Sequence, residues 1–477
     1  MVIGHIYKSF GGGGMQRGMA SILAVQHAMG HELVVFTREP RMETDFELGV
    51  PFRHVVIGDA GMGDVPTPTR ALKLRSALSE TRCDLVVHHE YYAKYAIADL
   101  RLIEEMGIPA VFQWHSCFSA LNMESRWDGH VLEHLEGIAR HVACFITLSS
   151  MDKTFFELMG VPAVHIPYAD PDLFDGVPVH GDGHKLLWSG RIVPEKRPLH
   201  ALQILEKVLE RFPDATLTML GDGYMRVRVE KYLAERPELA EHVVMPGFVN
   251  DVAPYLREAD VYLVTTTYEG FMHSIVEAKM AALPTVGYQM DYLDTTRPGT
   301  GYCPVPQGDV DAAAAEVCRL LADPDERRRL GALARKDFES FLRLDLKSLY
   351  AEAFEVALHR SRRPQPEASA AADVLRVLLD HVDSHARERM VEMEISAEKS
   401  RCLIEELRRS AEKDKSLKEK LRASRNELRR LKEELRTSRN KLRRLKKKLR
   451  TIRGSWLVRM GRALVWPARR LKSLLSR

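Results

Sequence analysis

The 477-residue sequence predicts an α/β protein built from two successive parallel-sheet halves, with a separate C-terminal extension. Three observations carry that prediction. Short, near-continuous apolar runs such as Leu33-Val34-Val35-Phe36 and Leu85-Val86-Val87 alternate with helical stretches, the pattern of strands buried on both faces. The alternation restarts after a Pro-, Gly- and Asp-rich stretch at 168–184. Beyond Pro364-Gln365-Pro366 the composition changes to a Lys-, Arg- and Leu-rich heptad pattern.

The first half opens with a strand at 1–7, the glycine run Gly11 to Gly14, a helix from Met15 to Met29 and a strand at 31–37, which is a βαβ unit. Gly12 and Gly13 let a backbone approach a ligand, and the helix start offers N–H groups to an anion; the same turn also serves as a plain tight connection. The dinucleotide fingerprint is incomplete, because its sixth position is Gln16, so no nicotinamide site is read here. Strands are predicted at 83–89, 109–115 and 143–149, the first two ending in His88-His89 and His115, followed by a helix from Ser150 to Met159 and a short extended segment at 163–168. The organisation predicted is 1–167, a linker at 168–184, 185–360, a linker at 361–374, a helical stalk at 375–452 and a basic tail at 453–477.

The second half restarts with a strand at 185–191 and a helix from Pro198 to Phe212. A strand at 215–220 ends in Gly221-Asp222-Gly223, and further strands are read at 243–245 and 259–264. The last of these leads into Tyr268-Glu269-Gly270-Phe271-Met272-His273-Ser274-Ile275-Val276-Glu277, a glycine turn and a helix start flanked by two carboxylates. The carboxyl end of a parallel strand is where open α/β sheets place ligands. Ser274-x-x-Glu277 also reads as a capping box, which would give Glu277 a purely structural task. Upstream, Arg191 and Lys196 follow a strand end, where two cations could neutralise a diphosphate or, more blandly, pair with Glu195. Helices from Asp309 to about His359 end this half.

Ser189-Gly190-Arg191-Ile192-Val193-Pro194-Glu195-Lys196, followed by the two glutamates seven residues apart, resembles the G-R-x-x-x-E-K loop and E-x7-E motif of retaining glycosyltransferases of family 4, which have the GT-B fold. The resemblance implies two Rossmann-like domains facing a cleft, with the last helix returning to the first domain. It implies a nucleotide-diphosphate sugar as donor, a hydroxyl acceptor on a glycan or lipid carrier, no metal and no cofactor. Arg191, Lys196 and the backbone N–H groups around Met272, His273 and Ser274 would stabilise the departing diphosphate. Glu277 would hold the ribose, Glu269 the donor sugar, and His115 would touch that sugar; Gly12, Gly13, Gly221, Gly270 and Phe271 would shape the donor site. A front-face reaction, in which the departing phosphate takes the acceptor's proton, is implied, with no protein nucleophile. The sequence departs from the family's pattern at Ala282, where glycine is usual, at Tyr168-Ala169 and at Gln289-Met290-Asp291. Asp170-Pro171-Asp172 and Asp323-Pro324-Asp325 read as turns. Two rival readings are a catalytically silent GT-B partner subunit, against which the intact Arg191, Lys196, Glu269 and Glu277 argue, and a nucleotide-sugar epimerase on the same fold.

Six cysteines show no metal-ligand spacing and several sit in apolar runs, so buried free thiols and a cytoplasmic setting are expected. No run of 18 apolar residues is present, so no spanning helix is expected. The net charge of +4 conceals an asymmetry: residues 421–477 hold 21 Lys and Arg against three Asp and Glu, a balance of +18, leaving −14 on the first 420 residues. Leu421, Leu428, Leu435, Leu442 and Leu449 repeat every seven residues, with Leu431, Leu445 and Ile452 between them. This pattern predicts a dimerising coiled coil, or else a single solvated basic helix. The tail that follows, Trp456-Leu457-Val458-Arg459 to Trp466, suits an interfacial helix on the anionic inner face of a membrane. Nothing in the body supports nucleic acid as the partner.

Overall fold

In the computed structural model the described residues are 1–10, 14–42, 47–58, 66–90, 93–118, 131–168 and 183–359, with scattered helical residues between 426 and 440. Met1–Val374 forms one compact unit and Leu375–Arg477 another. The heptad register and the basic tail lie almost wholly outside the described residues.

The first half contains β1 (Val2–Ile6), α1 (Gly14–Ala28), β2 (Glu32–Thr37), β3 (Arg53–Val56), α2 (Pro68–Thr81), β4 (Leu85–His88), α3 (Ala96–Glu105), β5 (Ala110–Gln113), α4 (Val131–Ala139), β6 (Cys144–Thr147), α5 (Ser150–Leu158) and β7 (Ala163–His165). The second contains β8 (Lys185–Ser189), α6 (Pro198–Leu209), β9 (Thr216–Leu220), α7 (Arg226–Ala234), α8 (Pro237–Ala240), β10 (Val243–Gly247), α9 (Ala253–Glu258), β11 (Val261–Val264), α10 (His273–Met280), β12 (Thr285–Tyr288), β13 (Tyr302–Val305), α11 (Val310–Leu321), α12 (Pro324–Leu342) and α13 (Leu346–His359). The first sheet has the order β3-β2-β1-β4-β5-β6-β7 and the second β10-β9-β8-β11-β12-β13. Every strand pairing within both sheets is parallel.

Sequence and structure agree wherever a strand is buried on both faces, as β4, β5 and β6 are. The structure adds β3, an edge strand of four partly or fully exposed residues that lacks an apolar run. It also adds α2, which starts on Pro68 with the Thr67 hydroxyl capping the Arg70 N–H at 3.2 Å. Of the two Asp-Pro-Asp segments, Asp323 caps α12 by accepting from the Glu326 N–H at 3.0 Å, and 170–172 lie outside the described residues.

In each sheet the chain reverses its direction of strand addition once, between β1 and β4 in the first and between β8 and β11 in the second. The carboxyl ends at these crossover points are where ligands settle in open parallel sheets. Phe338 of α12 and Tyr350, Phe354 and Ala357 of α13 are buried in the hydrophobic core of the first half, so the chain crosses back as the resemblance implies. Phe271, Val276 and Met280 from the start and body of α10 enter the same core. The five cysteines that lie among the described residues, Cys83, Cys117, Cys144, Cys303 and Cys318, are buried free thiols.

Candidate functional site

At the second crossover, the turn after β8 is bound to the segment after β11. Thr265 Oγ1 donates to the Lys196 carbonyl at 2.7 Å, Thr266 Oγ1 to the Glu195 carbonyl at 3.1 Å, and the Thr267 N–H to the Glu195 carbonyl at 2.7 Å. The Trp188 indole, from β8, donates to Thr265 Oγ1 at 2.9 Å. These bonds bring Lys196 and Glu269, 73 residues apart, into an ion pair that is largely shielded from solvent. The Glu269 N–H donates to the Tyr292 hydroxyl at 3.0 Å. Arg191 follows the bland alternative: its exposed guanidinium pairs with Glu195 at 3.2 Å. Gly221, with φ +118°, lies where a Cβ would come within 2.0 Å of the Gly190 carbonyl oxygen, so only glycine lets the β9 turn close on the β8 turn.

Helix α10 corrects one expectation. Ser274 and Glu277 form no capping box: the cap position is Met272, in the left-handed region at φ 60°, and no side chain caps the helix. A capping side chain works from extended backbone, which Met272 does not have. Nearby, the Tyr262 hydroxyl meets Ser189 Oγ at 2.8 Å. The start of α10, four residues after Glu269, therefore has no side-chain cap, and of its first-turn N–H groups that of Ile275 is bonded to the Met272 carbonyl at 3.1 Å. Glu277 is buried, which raises its carboxyl pKa, and its counterion is Arg17 of α1: Nη1 donates to Oε1 at 2.9 Å, joining two halves of the chain 260 residues apart.

The first crossover is built differently. His5 of β1, His89 just past β4 and His115 just past β5 form a chain that is buried at His5 and His89 and partly exposed at His115: Gln26 Oε1 to His5 Nε2 at 2.9 Å, His5 Nδ1 to His89 Nε2 at 3.0 Å, and His89 Nδ1 to His115 Nε2 at 2.7 Å. His115 Nδ1 then meets the Tyr168 hydroxyl. With the Gln26 carbonyl as acceptor, each ring carries its proton on Nε2, and His115 Nδ1 accepts from Tyr168. Burial lowers the imidazole pKa values, to about 4 for His5 and about 3 for His115, the latter also through the nearby His273. His89 lies well below the usual value, first through burial and then through its histidine neighbours. All three are neutral. Both ring nitrogens of His115 are engaged, so it reaches a sugar only if Tyr168 yields. Nearby, Glu90 Oε1 and the Tyr7 hydroxyl are buried without a hydrogen-bonding partner among the described residues. The other Glu90 oxygen accepts from Tyr95, whose ring stacks under Arg70 at 3.9 Å, and Arg70 pairs with Asp99 at 2.7 Å.

The two crossover points meet across the cleft. A Cβ on Gly270 would lie 2.5 Å from the His115 carbonyl oxygen, so glycine there permits the halves to touch. Tyr168 stacks on His273 with ring centres 5.1 Å apart and packs edge-on against Phe271. The Tyr168 ring also fills the space a side chain on Gly18 would need. Further out, Asp294 accepts from the Ser150 N–H and hydroxyl, both at 2.7 Å, at the start of α5. Thus Lys196, Glu269, Gly270, Phe271, Met272, His273, Ser274, Glu277, Gly221 and His115 converge; Arg191 stands at the rim, and Gly12 and Gly13 lie outside the described residues. Sequence reading passed over Arg17 and the contacts of Tyr168. The available signals were the position of Arg17 just inside the helix after the glycine run, and the aromatic at 168 where the resembling family departs.

Two family models match, glycosyltransferase family 4 over residues 12–168 and glycosyl transferases group 1 over 171–337. The chain belongs to glycosyltransferase family 4. This glycosyltransferase is 29% identical over 282 residues to a phosphatidyl-myo-inositol mannosyltransferase of Mycolicibacterium smegmatis, an alignment covering 56% of the chain and 69% of that relative. Its fold is that of sucrose-phosphate synthase from Thermosynechococcus elongatus, with a TM-score of 0.60 and 18% identity over 76% of the chain and 100% of that structure. It also matches Anabaena HepE in complex with UDP-glucose, with a TM-score of 0.59 and 17% identity over 74% of the chain and 98% of that structure. The fold is therefore GT-B.

Proposed function

We propose that the enzyme transfers a hexose-like sugar, with retention of configuration, from a nucleotide-diphosphate donor to a hydroxyl of a glycan or glycolipid. One observation carries the reading: the second crossover gathers Lys196, Glu269, Glu277 and an α10 start without a side-chain cap at one strand edge. Cleavage of the sugar–phosphate bond puts negative charge on the diphosphate and positive character on the sugar carbon. Lys196, Arg191 swung from Glu195, and the N–H groups of Met272 to Ser274 stabilise the former. Glu277 holds the ribose and Glu269 the sugar hydroxyls. The acceptor hydroxyl attacks on the face the diphosphate leaves, and its proton passes to the departing phosphate oxygen. Glu90 Oε1 and the Tyr7 hydroxyl supply unpaired polar groups for a hydroxyl-rich acceptor at the first crossover. The likeness to a phosphatidyl-myo-inositol mannosyltransferase and to a UDP-glucose complex supports a lipid-linked or glycan acceptor and a nucleotide donor.

Binding and donor hydrolysis across a panel of UDP-, GDP- and ADP-sugars test this. Wild type binds at least one donor, and Glu277→Ala and Lys196→Ala abolish that binding; unchanged binding in both variants rejects the site. Among the described residues no helix is long and apolar enough to cross a membrane. We assign the basic tail, which lies outside the described residues, to anionic lipid, and the heptads to homodimerisation. Removal of 454–477 then releases the protein from anionic liposomes; continued co-sedimentation of the truncated chain refutes the lipid assignment.

A further inference from the structure

The cations at the donor site are each paired with a carboxylate. Lys196 holds Glu269, Arg191 holds Glu195 and Arg17 holds Glu277. A diphosphate adds negative charge to a place where the charges already balance, so cations must change partners for it to bind. Arg17 differs from the other two in where it comes from. It projects from α1 of the first half, while Lys196 and Arg191 follow β8 of the second. Its side chain is 36% exposed against 7% for Glu277, so the cation stands in the cleft and its partner in the wall.

A purely structural tie between the halves would explain the ion pair, yet the same junction is already held by other means. Gly18, the next residue, seats the Tyr168 ring; that ring stacks on His273 at the start of α10; and Asp294 binds the start of α5. A partly exposed ion pair adds little to such a contact. A ribose diol that takes the Glu277 carboxylate displaces the guanidinium, which then sits beside the nucleotide with its donors free. Guanidinium forks match phosphate oxygens.

Resting on the diphosphate reading above, we propose that Arg17 is a diphosphate-binding cation supplied across the cleft. It guards Glu277 in the empty site and transfers to the donor's phosphates when the ribose takes Glu277. Donor binding and closure of the two halves thereby become one event.

Calorimetric titration of the full chain with UDP, GDP, ADP and the corresponding nucleosides tests the assignment, comparing wild type, Arg17→Ala and Arg17→Lys. For the base that wild type prefers, Arg17→Ala weakens nucleoside diphosphate binding by roughly 10- to 100-fold, the scale of one charge-assisted hydrogen bond. Nucleoside affinity stays within about twofold, and Arg17→Lys recovers part of the loss, as expected for a charge contact with phosphate. If Arg17→Ala binds the diphosphate as well as or better than wild type, Arg17 is only the counterion of Glu277 and the proposal fails. Equal loss of nucleoside and diphosphate also overturns it, because the change then acts on the cleft as a whole. A wild type that binds none of the three diphosphates overturns the donor-site reading itself, and the role of Arg17 with it.

Discussion

At their crossover points the first half presents neutral groups and the second charges, and the cation the first half brings into the cleft, Arg17 of α1, pairs with Glu277 of the second. At the β1/β4 crossover three imidazoles, those of His5 and His89 buried and that of His115 partly so, are held uncharged and bonded end to end, from Gln26 to Tyr168. At the β8/β11 crossover Lys196, Glu269, Arg191 and Glu195 are arranged as ion pairs on the ends of strands and turns. The two sheets share their parallel topology, so the fold itself does not make this difference. Solvation does: burial favours the neutral form of a histidine, whereas the second crossover sets each cation against a carboxylate. A neutral lining suits a sugar or polyol, whose hydroxyls exchange hydrogen bonds without a charge penalty. A charged lining suits a leaving group on which charge develops.

Asp152 offers the larger test of this contrast. It is a buried carboxyl of the first half whose pKa burial raises to about 7, against the bonds from Ser149 and the Phe118 N–H that lower it. Below about pH 4 the group is protonated in both folded and unfolded chains and costs nothing. As the pH climbs towards 7 the unfolded chain releases its proton while the folded one keeps it, so this group's contribution to stability falls, and above 7 the full cost remains. Asp152→Asn mimics the neutral acid. It should gain roughly 2–4 kcal/mol over wild type at pH 8 and little at pH 4. Denaturant unfolding at both pH values measures this; an equal effect at both would mean that the first half does not hold this carboxyl neutral.

A smaller effect belongs to the second half. Ala282 sits at φ 53°, a left-handed conformation that a Cβ resists, where the resembling family has glycine. Ala282→Gly should stabilise the protein by about 0.5–1 kcal/mol, the relief of strain exceeding the entropy that glycine adds to the unfolded chain. A lower melting temperature in the variant would show that the alanine methyl makes packing contacts worth more than its strain.

Much of this was legible in the sequence because the signals are local. A strand buried on both faces writes an apolar run, and Glu269 and Glu277 are separated by a spacing that survives as a pattern. The missing pieces are long-range or depend on conformation. Arg17 and Glu277 are 260 residues apart, and His115 and Tyr168 are 53 apart, so neither contact leaves a periodic trace. Ser274-x-x-Glu277 has the letters of a capping box, but Met272 adopts a backbone that turns the helix start away from that geometry. Strand β3 escapes notice because a partly exposed edge strand has no continuous apolar run.

The most direct test of the division of labour is a paired titration with a nucleoside and its diphosphate on wild type, Lys196→Met and His115→Asn. The charged crossover should own the diphosphate. Lys196→Met then loses the extra affinity that the diphosphate gives over the nucleoside, by roughly 10- to 100-fold, while His115→Asn keeps it. If His115→Asn loses that increment and Lys196→Met retains it, the leaving group sits against the neutral half, and the account is contradicted.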